Sequence, residues 1–291
     1  MNVVRRVLEV RKLLDEARAE GKRVGFVPTM GALHEGHRSL IRRAAADTDY
    51  VVVSIFVNPT QFGPNEDLSS YPRTFADDVD ACKAEGTHLV FHPDAEEMYP
   101  GDPKTQVIVT GITEPMEGVI RPGHFAGVAL VCAKLFTIVG PCTAFFGEKD
   151  AQQLRVVRRM AADLSMPVEI VGCPTVRDAD GLALSSRNAY IERADRERSL
   201  ALIRALHAIA VRAEAGEQDV AKLEAHGRAV LDAAGLDGID YLEVVDPDSL
   251  ERLERVETTA LVCGAVRVGK TRLIDNITIS TGHKDQEVSE R

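Results

Sequence analysis

The run Tyr50-Val-Val-Val-Ser-Ile-Phe-Val57 constrains this chain more than any other stretch. Eight residues with almost no polar alternation do not suit a strand that is wet on one side. They suit a strand covered on both faces, as in a parallel sheet held between two layers of helices. The neighbouring pattern agrees. Residues 24–27 read as a short strand, and residues 36–46 have helical spacing with Leu40, Ile41, Ala44 and Ala45 on one side. Helices over 74–85, 124–139 and 151–164 then alternate with strands over 88–92, 143–146 and 168–172, and 107–109 reads as a weaker strand. Residues 2–20 read as an amphipathic helix with Val4, Val7, Leu8, Leu14 and Ala17 as its buried stripe. This alternation is the pattern of an α/β domain with a doubly wound parallel sheet.

The alternation stops near Pro174, so the first domain is expected over 1–175. Residues 176–282 then read as a smaller α+β domain: a turn-rich hinge at Arg177-Asp-Ala-Asp-Gly181, helices over 195–214 and 220–234, and antiparallel strands over 241–245, 260–268 and 272–279. Residues 283–291 are charged and lack a core pattern, which predicts a frayed tail.

Composition narrows the partners. At 291 residues with a formal charge of −10, the chain lacks the basic balance that favours nucleic acid or anionic membrane. The five cysteines are widely spaced and include no C-x-x-C pair, which predicts reduced thiols in a cytoplasmic protein rather than a zinc site or a disulfide framework. Residues 1–20 mix acids among the arginines and have no apolar segment of the kind a signal or transit peptide needs. The longest apolar stretch, 125–139, is too short to span a bilayer and contains Lys134.

Between the strand at 24–27 and the helix at 36–46 lies Pro28-Thr-Met-Gly-Ala-Leu-His-Glu-Gly-His37. Its glycines suit a tight turn, and the spacing of His34 and His37 puts two imidazoles on one side of a helix start. A helix start carries unpaired N–H groups and partial positive charge, so a polyphosphate is expected there. Three more polar clusters fall at or beside the same edge of the sheet. These are Asn58 and Gln61, then Gly147, Lys149, Asp150 and Gln153, then Ser185-Ser186-Arg187 from the start of the second domain. Each alone can be a strand terminator or a helix cap. Their convergence at the carboxyl ends of parallel strands is what points to chemistry.

The His-x-Gly-His pattern after a first strand resembles the signature of the nucleotidyltransferase and class I aminoacyl-tRNA synthetase superfamily, a Rossmann-like fold. The wider string around it resembles the pantothenate synthetase family. So do Ile55-Phe-Val-Asn-Pro-Thr-Gln-Phe62, Arg121-Pro-Gly-His-Phe-Ala-Gly127, Phe146-Gly-Glu-Lys-Asp-Ala-Gln-Gln153 and Leu182-Ala-Leu-Ser-Ser-Arg-Asn188. The resemblance implies an ATP-dependent ligase joining pantoate to β-alanine through a pantoyl adenylate, with AMP and pyrophosphate released. By it Met30, Gly31, Ala32, Leu33, His34, Glu35, Gly36, His37, Gly147, Glu148, Lys149, Asp150, Val176, Leu184, Ser185, Ser186 and Arg187 form the ATP site. His34, His37, Lys149 and Arg187 would be catalytic, His37 as proton donor. Gln61 and Gln153 would hold pantoate, with Gln61 also near β-alanine, and Asn58 would join them. Mg²⁺ would bridge the phosphates with Asp77 as a contact, and the protein would be a cytoplasmic homodimer. The family usually carries methionine where Leu184 stands, a change conservative in volume. A cytidylyl- or adenylyltransferase, or a nucleotide sensor without turnover, shares part of the pattern and is separated from this reading by AMP release.

One match is rejected. Gly264-Ala-Val-Arg-Val-Gly-Lys-Thr271 fits the P-loop pattern, yet a β-branched run follows it where a helix is needed, so it reads as a hairpin turn. Asp178-Ala-Asp-Gly181 is likewise too short for a calcium loop.

Overall fold

The computed structural model describes residues 1–64, 66–101 and 104–281; the tail expected over 283–291 lies outside them. The chain divides into two compact units. One takes in Met1–Arg177 with Leu184–Ser186, and the other Asp178–Ala183 with the residues from Arg187 onward. Where a single break near 175 was expected, the chain passes out of the first unit and back before leaving it.

The first unit is built on six parallel strands: β1 (Asn2–Val4), β2 (Val24–Thr29), β3 (Tyr50–Ile55), β4 (Leu89–Phe91), β5 (Cys142–Gly147) and β6 (Val168–Cys173). Their order across the sheet is β1-β4-β3-β2-β5-β6. Helices α1 (Val7–Ala19), α2 (Glu35–Asp47), α3 (Phe75–Ala84), α4 (Ala95–Met98), α5 (Glu117–Ile120), α6 (His124–Val139) and α7 (Ala151–Asp163) complete it. Side chains alternate across the sheet as the pleat requires. Phe26, Val52, Ala144 and Phe146 point to the layer of α1, α6 and α7, where Leu14, Phe136 and Leu154 meet them. Val27, Val51, Val53 and Phe145 point to the opposite layer, where Leu40, Ile41 and Ala44 of α2 and Cys82 of α3 meet them. All six residues of β3 are buried, as its uninterrupted apolar run requires. Each fully buried large side chain contributes roughly 1.5–3 kcal/mol.

Three expectations change. Residues 2–4 do not extend α1 but form an edge strand parallel to β4, with Asn2 opposite Leu89. The helix stripe therefore starts later: Val10 is buried and Leu8 is 76% exposed. Residues 107–109 form no strand, although Val107 and Val109 pack against the core. A three-residue alternation buries side chains without finding a partner edge.

The second unit holds an antiparallel sheet in the order β7-β8-β9, from Gly238–Val245, Thr259–Val268 and Thr271–Ser280. Its helices are α8 (Arg196–Ser199), α9 (Ala201–Glu214) and α10 (Val220–Ala233). The helix expected over 195–214 is thus two segments. Leu206 and Ile209 of α9, Leu223 of α10 and Val262 of β8 share its core. Gly269 and Lys270 form the turn between β8 and β9, with Arg267 paired to Arg272, so the rejected P-loop string is a hairpin.

Candidate active site

From β2 the chain winds outward through β3 and β4, and on the other side lie β5 and β6. The strand order therefore reverses between β2 and β5, where open α/β sheets bind ligands beyond the strands' carboxyl ends. Residues 30–37 follow β2 and residues 148–150 follow β5, so these two loops flank the reversal.

The β2–α2 turn is closed from within. Thr29 Oγ1 donates to the Ser54 carbonyl at 2.7 Å and accepts from Gly31 N–H at 3.2 Å. Gly31 and Ala32 both have left-handed backbone, φ 84° and 50°, and a Cβ on Gly31 would stand 2.9 Å from Asp78 Oδ2. Asp78 accepts the N–H groups of Ala32 and Leu33 at 3.0 and 2.7 Å. His34 is the N-cap of α2: its Nδ1 accepts from Gly36 N–H at 3.1 Å, and its own N–H donates to His37 Nδ1 at 3.4 Å. The two rings lie 4.1 Å apart, tilted by 43°. Gly36 makes this possible, because a Cβ there would sit 2.8 Å from His34 Cε1. That is a physical reason for glycine inside His-x-Gly-His.

This geometry narrows one expectation. The N–H groups of Gly31, Ala32, Leu33, His34 and Gly36 are already spent inside the turn, and that of Glu35, at the first position of α2, is not among them. The imidazoles are the further donors. Each Nδ1 accepts a backbone N–H, so each ring carries its proton on Nε2. Burial and the Lys149 ammonium push His34 down to about 4, against an opposing pull from Asp150. Burial and the His34 ring push His37 down to about 3. Both are neutral at pH 7 and act as hydrogen-bond donors. In the ligand-free chain His37 is therefore held neutral, with its proton on Nε2.

The other predicted residues divide. Lys149 is close enough to the imidazoles to depress them, and its ammonium lies 3.7 Å from Asp150. Ser186 Oγ donates to Ala32 O at 3.2 Å, Leu184 N–H donates to Val176 O at 3.0 Å, and a Cβ on Gly36 would lie 3.9 Å from Leu184 Cβ. The segment 184–186 therefore lies on the turn, with Ser185 between its neighbours. Arg187 belongs to the second unit. Glu35 is exposed and pairs with Arg42 and Arg38, and Glu148 is exposed too. Gly147 ends β5.

Asn58 is corrected from substrate contact to support. It is 1% exposed, and its amide is fully used. Nδ2 donates to Gln61 Oε1 and Gly127 O at 3.1 and 3.2 Å, while Oδ1 accepts from Tyr99 O–H and Thr60 O–H, both at 2.9 Å. Gln61 keeps an Nε2 whose protein acceptor is the weak Met30 Sδ, at 3.1 Å. It presents a donor, as an acid substrate needs. Its carbonyl accepts from His124 Nδ1 at 2.9 Å, which leaves His124 Nε2 against Arg121 at 3.1 Å. Burial and that guanidinium push His124 down to about 4. Gly127 lets α6 close on this loop, since a Cβ would overlap the Thr60 carbonyl and stand 2.7 Å from Gln61 Cα. Sequence reasoning missed Tyr99, which lies in no motif. His124 stood in the Arg-Pro-Gly-His string, but without a role.

Gln152 is buried and clamps residues 112–117, donating to Ile112 O and Pro115 O at 3.0 and 2.9 Å and accepting from Glu117 N–H at 3.1 Å. Gln153 is half-buried and takes no part in that clamp. Asp77 is exposed, whereas Asp78 is buried against the turn, so the carboxylate that meets the site is the second of the pair. Among the described residues no group of three or more His, Cys, Asp or Glu could hold a metal ion, so a Mg²⁺ here would need the substrate phosphates for most of its ligands. Nor is any helix among them long and apolar enough to cross a membrane.

Comparison with known proteins agrees with this architecture. The family model described as pantoate-beta-alanine ligase matches residues 2–278. The pantothenate synthetase of Roseiflexus sp. (strain RS-1) is 52% identical over 276 residues, covering 95% of this chain and 98% of its own. That of Thermotoga neapolitana is 50% identical over 276 residues, at 95% and 99% coverage. The crystal structure of pantothenate synthetase from Thermus thermophilus superposes with a TM-score of 0.91 at 46% identity, over 95% of this chain and 99% of that one. The Francisella tularensis pantoate-beta-alanine ligase, solved with a β,γ-ATP ligand and β-alanine, gives 0.79 at 31% identity, over 95% and 97%. This chain belongs to the pantoate–β-alanine ligase family, the pantothenate synthetases, enzymes that condense pantoate with β-alanine using ATP.

Proposed function

We propose that this chain activates pantoate as pantoyl adenylate and then transfers the pantoyl group to β-alanine. The observation that carries the proposal is the pair of neutral imidazoles, protons on Nε2, beside Lys149 at the strand-order reversal. In the first step a pantoate carboxylate oxygen attacks the α-phosphorus and the bond to the β-phosphate oxygen breaks, releasing pyrophosphate. In the second the β-alanine nitrogen attacks the acyl carbon, AMP leaves, and the amine's surplus proton goes to solvent. The chain's contribution is orientation and charge stabilisation rather than covalent chemistry.

In this reading His34 and His37 donate from Nε2 to phosphate oxygens, Lys149 supplies the cation, and Ser185 adds a hydroxyl, as does Ser186 once it turns its proton from Ala32 O to the phosphate. Arg187 is the further cation that the family resemblance assigns to the triphosphate. Met30 to Leu33, Gly36, Gly147, Asp150, Val176 and Leu184 shape the nucleotide pocket. Gln61 and Gln153 hold pantoate, with Gln61 also near the amine. Mg²⁺ arrives on the triphosphate as its counter-ion, and no step here is routed through it. A cytoplasmic homodimer, implied by the family, completes the proposal; sedimentation tests it.

The reaction test uses ATP and pantoate without amine. Pyrophosphate release and exchange of labelled pyrophosphate into ATP are expected, followed by AMP when β-alanine is added. ADP as product, or no exchange until the amine is present, refutes the adenylate route.

A further inference from the structure

Asp77 and Asp78 stand side by side in the first turn of α3, and the structure treats them oppositely. Asp77 is exposed, while Asp78 is 2% exposed. No Lys, Arg or His pairs with Asp78 among the described residues. A carboxylate in that position is costly unless donors saturate it. Here they do: Ala32 N–H reaches Oδ2, and Leu33 N–H and Thr74 O–H reach Oδ1, at 3.0, 2.7 and 3.2 Å.

Two of those donors lie on the most contorted backbone of the site. Gly31 and Ala32 are consecutive left-handed residues, a conformation that alanine disfavours. Charge-assisted hydrogen bonds to the N–H groups of Ala32 and Leu33 can hold it, since bonds to a charged acceptor are stronger than neutral ones. The next link is His34, whose N–H and ring close the cap on which the tautomer of both imidazoles rests.

We infer that Asp78 is a positioning residue for adenylation: it fixes the backbone of Ala32 and Leu33 so that His34 and His37 lie side by side with both Nε2–H groups available to the triphosphate. The inference rests on the proposed role of those two rings. It also gives Asp78 a purpose other than metal binding, because its oxygens are already taken by the turn.

The test is a graded series in the full-length chain: Thr74→Val, Asp78→Asn and the control Asp80→Asn, an exposed aspartate of the same helix. Thr74→Val removes the hydroxyl bond to Asp78 and no helix-cap bond. Asp78→Asn keeps the shape but turns an NH₂ toward a backbone N–H. The first readout is the imidazole ¹⁵N spectrum of the ligand-free chain, which reports protonation at each nitrogen independently of activity. Wild type and Asp80→Asn should show Nε2–H at both rings, and Asp78→Asn a mixture. The second readout is KM. For ATP it should rise about tenfold or more in Asp78→Asn, less in Thr74→Val and not in Asp80→Asn, while KM for β-alanine stays level. If Asp78→Asn does not fold, Thr74→Val carries the test through the same two readouts. Unchanged imidazole nitrogens in the altered chain overturn the inference and leave the histidines' role standing. Altered nitrogens with an unchanged rate of pyrophosphate exchange overturn that role, and the inference with it.

Discussion

Replacing Gly36 by alanine should separate activity from stability. The backbone there is right-handed, so alanine fits it, and the collision is with one side chain. The added Cβ would stand 2.8 Å from His34 Cε1 and 3.0 Å from Nδ1. Ordinary carbon contacts lie at about 3.5–4.0 Å, so the ring must withdraw by about 1 Å. Losing the cap bond from Gly36 N–H costs about 1 kcal/mol, and exchanging glycine for alanine inside a helix returns about 0.5–1 kcal/mol. The melting temperature should therefore move by no more than about 2 °C. A displacement of about 1 Å at a group that orients a reaction costs about a hundredfold in rate, or about 2.7 kcal/mol. Pyrophosphate exchange with ATP and pantoate, alongside a calorimetric melt, measures both. Exchange near the wild-type rate would show that the His34 ring does not act at the triphosphate. A fall of about 10 °C would show that the ring cannot yield, and that the glycine serves the fold.

Other outcomes follow from the same geometry. His34, His37 and His124 sit below the ordinary 6.5 in the fold, so the unfolded chain binds more protons as the solution is acidified. Stability should be level above about pH 7 and fall from about 6.5 toward the folded values of about 4, 3 and 4, and His37→Asn should flatten that fall in a melt series. Gln152→Ala leaves Ile112 O and Glu117 N–H without their partner, while Pro115 O keeps the Gly118 N–H, and should cost about 1–3 kcal/mol in denaturant unfolding without favouring one substrate. Gln153→Ala should instead raise KM for pantoate while leaving KM for ATP level; equal losses would deny it a substrate contact. Lys270→Ala, in the β8–β9 turn, should leave nucleotide affinity unchanged in a titration.

How much could be read in advance depended on how local the signal was. The buried run of β3 and the helix over 124–139 carry their own pattern, and their bounds come close to it or match it. Residues 2–4 do not, because three residues before a helix share its spacing, and only the edge of β4 tells them apart. The paired residues were harder. Asp77 and Asp78, or Gln152 and Gln153, are equivalent as letters, and which one turns inward is settled by the helix's rotation against its neighbour. For the aspartates the inward one is the second, and for the glutamines the buried one is the first. Asn58 was legible as important but not as a support, because Tyr99 and Gly127, which consume its amide, are 41 and 69 residues away.

The fate of the backbone donors changes what kind of site this is. A phosphate loop that offers bare N–H groups binds its anion through the main chain and tolerates varied side chains. Here most of the turn's N–H groups are taken by Thr29, Asp78 and the two Nδ1 atoms, so the donors on offer are chiefly side chains. Two are neutral donors and one, Lys149, is a cation beside a carboxylate. In the proposed reaction, so little fixed positive charge in this unit means that a leaving pyrophosphate is held chiefly by Lys149 and the two Nε2–H groups, which are few enough contacts to let product go.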